Sequence, residues 1–247
     1  MSEHKEKEVI KEGGQHIVRA FDEELESLRA MTQRLGRVAA KHLERSVNAA
    51  INRDVRESQK VVDEDDLIDD LTRQIQELSF KVLSLRQPTS IDLREILCTQ
   101  KISTYLERVG DYATNISKRA ILLEKVPPID PLPSIKRMSN LVKELLDGAM
   151  EAYVNQDGEK ALVIWCGDER VDYVYAALLR EILTYMMEDP RTISPCTHLL
   201  FMNRNLDRLG DHAANIAECV YFLARGEVPK GERPKPDTWG EIEPPAP

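Results

Sequence analysis

Ten residues, Glu107-Arg-Val-Gly-Asp-Tyr-Ala-Thr-Asn-Ile116, return one hundred positions later as Asp207-Arg-Leu-Gly-Asp-His-Ala-Ala-Asn-Ile216. Arg, Gly, Asp, Ala, Asn and Ile recur in register. Unrelated amphipathic helices share Leu and Ala because both pack. A shared Arg-x-Gly-Asp-x-Ala-x-Asn-Ile marks an internal duplication instead. Whatever the first half builds, the second must build again.

The hydrophobic period says what is built. Phe21, Leu25, Leu28, Met31, Leu35, Val38 and Leu43 recur at three- and four-residue spacing, predicting a helix over 17–51. Val61, Ile68, Leu71, Ile75, Leu78 and Val82 predict a second over 55–85. Thr89 with Asp92 makes an N-cap pair for a third over 91–124. Four prolines between Val126 and Pro133 cannot be helical and read as a linker, 127–134. The pattern then restarts over 135–155, 159–188 and 193–224, punctuated by Asp157-Gly158, Asp189-Pro190 and Gly226. The expected fold is all-α, with two tandem, internally duplicated three-helix bundles of six long helices. The bundles occupy 15–126 and 135–226. A flexible charged start, 1–14, and a Pro-, Glu- and Lys-rich disordered tail, 227–247, are expected to flank them.

Composition agrees. Aromatics are only 5% and the apolar content is mostly Leu, Ile, Val and Ala, which favours helix-on-helix packing. A net charge of -9 argues against nucleic acid as a general partner, because phosphate contacts need clustered Lys and Arg. Cys98, Cys166, Cys196 and Cys219 form no C-x-x-C pair, which points to a reducing, cytoplasmic setting. Residues 1–14 lack the apolar core of a signal peptide. No apolar run reaches the roughly 18 residues of a membrane span, so membrane association is expected only through partners.

The chemistry lies in paired carboxylates. Glu107 with Asp111, and Asp207 with Asp211, stand one helical turn apart on one face, where like charges repel unless a cation sits between them. Each half offers a second pair on its middle helix: Asp65 with Asp69, and Asp168 with Asp172. Two neighbouring helices would thus present four carboxylates to a shared space. Oxygen-only ligands suit hard cations such as Mg²⁺, Ca²⁺, Mn²⁺ or iron. On the helical wheel these acids fall opposite Leu106, Val109, Ala113 and Ile116, so a metal is expected on the outer surface of each bundle. Gly110 and Gly210 each stand between the two acids, where glycine costs about 1 kcal/mol relative to Ala. Close helix approach would explain them. His42, His198 and His212 are scattered, and no Glu-x-x-His occurs to suggest an interior di-iron site.

With these motifs, and with Arg86-Gln-Pro88 followed by Asp92-Leu-Arg94, the chain resembles the bacterial PhoU family over about residues 21–225. The resemblance implies a non-enzymic negative regulator of phosphate-starvation signalling. Such a protein joins the phosphate ABC transporter, at its cytoplasmic ATPase subunit, to a sensor histidine kinase. It implies multinuclear iron or zinc clusters, with Mg or Mn as alternatives. One cluster would be held by Asp65, Asp69, Glu107 and Asp111, the other by Asp168, Asp172, Asp207 and Asp211. A homodimer, peripherally associated with the inner membrane through partners, is expected as well. Where the first half has its Arg-Gln-Pro junction, the second has Asp189-Pro-Arg-Thr-Ile-Ser-Pro-Cys, so the two bundles are not expected to meet partners equally. Two other readings compete: a metal-dependent phosphoester hydrolase, and a purely structural helical adaptor.

Overall fold

The computed structural model describes residues 2–128, 132–167 and 169–231, with residues 2–19 and 132 described by backbone alone. Its helices are α1 (Ser2–Asn52), α2 (Val55–Asp63), α3 (Asp65–Arg86), α4 (Ser90–Leu123), α5 (Leu132–Asn155), α6 (Gly158–Cys166), α7 (Glu169–Glu188) and α8 (Ile193–Arg225), with a 3-10 turn at Pro190–Thr192. No strand occurs among the described residues. The fold is all-α, as expected.

Two expected long helices are each interrupted. The helix over 55–85 breaks at Glu64. There Asp63-Glu64-Asp65-Asp66 sets four acids in succession, and Arg45 draws the Glu64 carboxylate aside at 2.5 Å. The helix over 159–188 breaks at Gly167, a poor helix former. The breaks fall at equivalent places, each just before the middle-helix acid pair. Turns preceding α2 and α6 match too. Arg53 (φ 54°) and Gln156 (φ 50°) are left-handed. Asp54 and Asp157 then cap the next helix by accepting from the Glu57 and Lys160 amides at 2.9 and 3.0 Å.

At the N-terminus, α1 starts at Ser2 instead of near Ile17, because the Glu- and Lys-rich residues 3–12 are good helix formers. Residues 129–131 of the expected linker and 232–247 of the expected tail lie outside the described residues. Pro133 sits in the first turn of α5, where proline is tolerated. The Arg53 guanidinium donates to the carbonyls of Glu124 (2.5 Å) and Val126 (2.6 Å), clamping the chain as it leaves α4.

Within the first half, α4 packs against α1, α2 and α3; within the second, α8 packs against α5, α6 and α7. The halves join through α1 against α5 and α4 against α8, so one apolar core runs through both. The α4–α8 pairing is antiparallel and obeys a pseudo-twofold. Cys98 meets Cys219 around one cavity at one end. At the other end His198 feels the charge of Arg119. Subtracting or adding one hundred converts one pair into the other.

Candidate metal centre

The N-terminus of α3 delivers the first acid pair. Asp65 and Asp66 stand in its opening turn, where the helix dipole favours negative charge, and Asp69 follows one turn on. The Thr114 hydroxyl of α4 donates to Asp65 Oδ1 at 2.9 Å. Glu107 faces the same groove from α4, and Asp111 one turn on acts on both Glu107 and Asp69. Asp69, Thr72, Arg73, Glu107 and Arg108 line about 440 Å³ of it. Burial raises the Glu107 carboxyl above its usual range, and Asp111, Asp69 and Asp65 add to this while Arg108 opposes it. Asp69 is raised by burial first, then by Asp65 and Asp111. All four predicted residues of the first set therefore share one electrostatic environment.

The second set is more enclosed. The Asp207 side chain is only 11% exposed and accepts from Arg204 at 2.7 Å. Burial pushes its carboxyl up to about 6. Asp211 and Asp172 add to the shift, and Arg204 and Arg208 counter it. Asp172, Asp207 and Asp211 are thus brought together, while Asp168 lies outside the described residues. Each motif keeps one ion pair in common: Arg108 with Asp111 at 3.1 Å, and Arg208 with Asp211 at 4.0 Å.

The acids stand less openly than the helical wheel suggests. Glu107 is 25% and Asp111 35% exposed at the side chain, and Asp207 is buried. The wheel assumes one packed face per helix. Here α4 and α8 are flanked on several sides, so the face opposite Leu106 or Leu206 looks into a groove beside α3 or α7. Gly110 follows from the same crowding. A Cβ there would stand 2.6 Å from Ile68 Cδ1 and 3.0 Å from Cγ2, so glycine allows α3 to lie close to α4.

As the side chains stand, no three His, Cys, Asp or Glu residues among those described converge on a single ion position. The carboxylates are engaged by Thr114, Arg108 and Arg204 instead. Their chemistry fits a hard cation. The donors are oxygen only, the charges repel, and burial penalises their ionised state. Sequence reasoning missed Thr114. Its counterpart is Ala214, so the repeat gave no signal, although Thr114 lies three residues after Asp111 and seven after Glu107 on one stripe. It also missed Arg204, which precedes the second motif. His42 is a core residue, with Nε2 3.1 Å from the Val61 carbonyl. His212 stacks on Tyr105 and Tyr112 at ring separations of 5.6 and 5.7 Å, between the two motif helices.

Comparison with known proteins places this architecture. The PhoU domain model matches residues 32–120 and again 135–220, one match per half. The phosphate-specific transport system accessory protein PhoU homolog of Caulobacter vibrioides is 44% identical over 224 residues, covering 90% of this chain and 97% of that protein. The homolog of Rhizobium meliloti is 44% identical over 223 residues, covering 90% and 94%. The crystal structure of PhoU from Pseudomonas aeruginosa superposes with a TM-score of 0.81 at 38% identity, covering 84% of this chain and 100% of that one. The phosphate transport system regulatory protein PhoU from Streptococcus pneumoniae gives 0.79 at 27%, covering 85% and 99%. With its duplicated motif helices matched in both halves, the chain belongs to the PhoU family.

Proposed function

We propose that the chain is a non-catalytic accessory regulator of a phosphate-specific transport system. In this reading it represses phosphate-starvation signalling when phosphate is plentiful. It does so by joining the ATPase subunit of the phosphate ABC transporter to a sensor histidine kinase at the cytoplasmic face of the inner membrane. One observation carries the reading: the chain spans 97% of a relative named as an accessory protein of that system, with both motif helices retained. None of the described helices is long and apolar enough to cross a membrane, which suits attachment through partners.

The carboxylate sets have a role in the same proposal. Asp65, Asp69, Glu107 and Asp111 hold one multinuclear cluster; Asp168, Asp172, Asp207 and Asp211 hold the other. Iron or zinc is the first choice, Mg or Mn the second. A cation would offset the burial, and the lesser repulsion, that raise Glu107, Asp69 and Asp207. Open grooves at helix seams suit a structural or docking cluster better than turnover. The protein acts as a homodimer in this reading.

A deletion strain tests the regulatory part. Loss of the protein should switch on phosphate-starvation genes in phosphate-rich medium, and continued silence would refute repression. Metal analysis of protein purified without chelator, against an Asp111→Ala/Asp211→Ala variant, tests the clusters. Phosphoester turnover by the metal-loaded protein, abolished by Asp111→Ala, would install the hydrolase reading instead.

A further inference from the structure

The seam between the halves places two cysteines around one cavity, away from the carboxylate grooves. Cys98 of α4 and Cys219 of α8 are 2% and 8% exposed, and both line a cavity of about 410 Å³. Leu97, Phe222 and Val228 supply its apolar walls, and Lys101 and Glu218 stand at its rim. Both thiols are free, and each chain segment brings only one. The pair is not a by-product of the repeat. The equivalents of Cys98 and Cys219 are His198 and Arg119. There the Arg119 guanidinium lies over the Phe201 ring at 3.8 Å. At the first end a small Cys219 replaces that long side chain and leaves room.

We propose that Cys98 and Cys219 form a two-coordinate site for a soft monovalent d¹⁰ cation, Cu(I), bridging α4 and α8. The ligand type selects the metal: thiolates prefer Cu(I), whereas structural zinc asks for four ligands. Among the described residues no third Cys, His, Asp or Glu joins the pair, which suits a metal content with two bonds. Two thiolates and one Cu⁺ leave a single negative charge; Lys101 favours it at both sulfurs, against Glu95 at Cys98 and Glu218 at Cys219. On binding, each thiol releases its proton to solvent, two S–Cu bonds form, and copper stays Cu(I). The apolar walls favour a soft ion over the hard cations that suit the carboxylate grooves.

The experiment is an anaerobic Cu(I) titration of the full-length, metal-free chain against bathocuproine disulfonate, with X-ray absorption on the product. One Cu(I) per chain should be withheld from the chelator, with two sulfur neighbours. Cys98→Ala and Cys219→Ala should each weaken retention by about a hundredfold or more. Cys166→Ala and Cys196→Ala should retain copper as the parent does. Lys101→Glu, an exposed substitution that leaves the core intact, should weaken it by about tenfold. Retention equal to the parent's in either the Cys98→Ala or the Cys219→Ala chain overturns the proposal. So does loss of copper in Cys166→Ala, or unchanged affinity in Lys101→Glu.

Discussion

Thr114 Oγ1 reaches across from α4 to donate a 2.9 Å hydrogen bond to Asp65 Oδ1 at the start of α3. That bond ties the motif helix to the helix whose break places the other two carboxylates of the first set. Thr114 is 1% exposed, so Thr114→Val keeps the packing and deletes only the donor. It should cost about 1 kcal/mol in denaturant unfolding and leave helicity unchanged. Wild-type stability in Thr114→Val would show that the bond does not hold α3.

Asp207 sets a pH dependence in chelator-treated protein. Its folded carboxyl is raised to about 6 from the ordinary 3.8, so the fold binds the proton more tightly than the unfolded chain does. Stability from this group is greatest below about pH 4, falls between 4 and 6, and stays low above that. Asp207→Asn should therefore stabilise the metal-free protein by about 1–2 kcal/mol at pH 8 and by nothing below pH 4. Thermal melts across pH 3.5–8 would read this. A gain that does not vary with pH would contradict it.

Gly110→Ala sets helix propensity against packing. Alanine gains about 1 kcal/mol in an exposed helix. Here the added methyl would meet Ile68, a fully buried residue, at 2.6 Å. A net loss of about 1–2 kcal/mol is expected. Ile68→Ala combined with Gly110→Ala should cost clearly less than the two single losses added together, because the smaller side chain removes the clash. Additive losses in that cycle would separate Gly110 from Ile68.

The thiols should differ in reactivity. Burial pushes Cys98 up to about 11 and Cys219 to about 12, while Cys166 is exposed. Iodoacetamide at pH 8 should label Cys166 at least about tenfold faster than either seam cysteine, since the thiolate is the nucleophile. Peptide mass spectrometry resolves the three sites. Comparable rates would mean that the seam opens readily.

The fold was readable where the physics is local. The periods of Leu25–Leu28–Leu35 and of Ile135–Met138–Val142 are helix-core spacings, and these residues are buried. The repeated decapeptide located the site helices. What escaped depends on neighbours that a single helix cannot reveal. Glu64 reads as an ordinary exposed helix residue, and its pairing with Arg45 of α1, nineteen positions away, is invisible in one helix. Asp207 reads as a solvated acid until α7 covers the face that carries it. Thr114 looks like one more small residue in a packed helix, because its partner is forty-nine positions away. The carboxylates could be found by counting; which groups hold them in place could not.

The exchange of partners along α4 and α8 has an evolutionary reading. A contact that recurs with its two sides swapped is what an isologous interface produces when two identical subunits meet. The seam is thus that of a homodimer written into one polypeptide. In a true homodimer each substitution appears on both sides at once, so Cys98 could never face Cys219 while His198 faced Arg119. Fusion removed that obligation, and the two ends of a once-symmetric contact became free to acquire different chemistry.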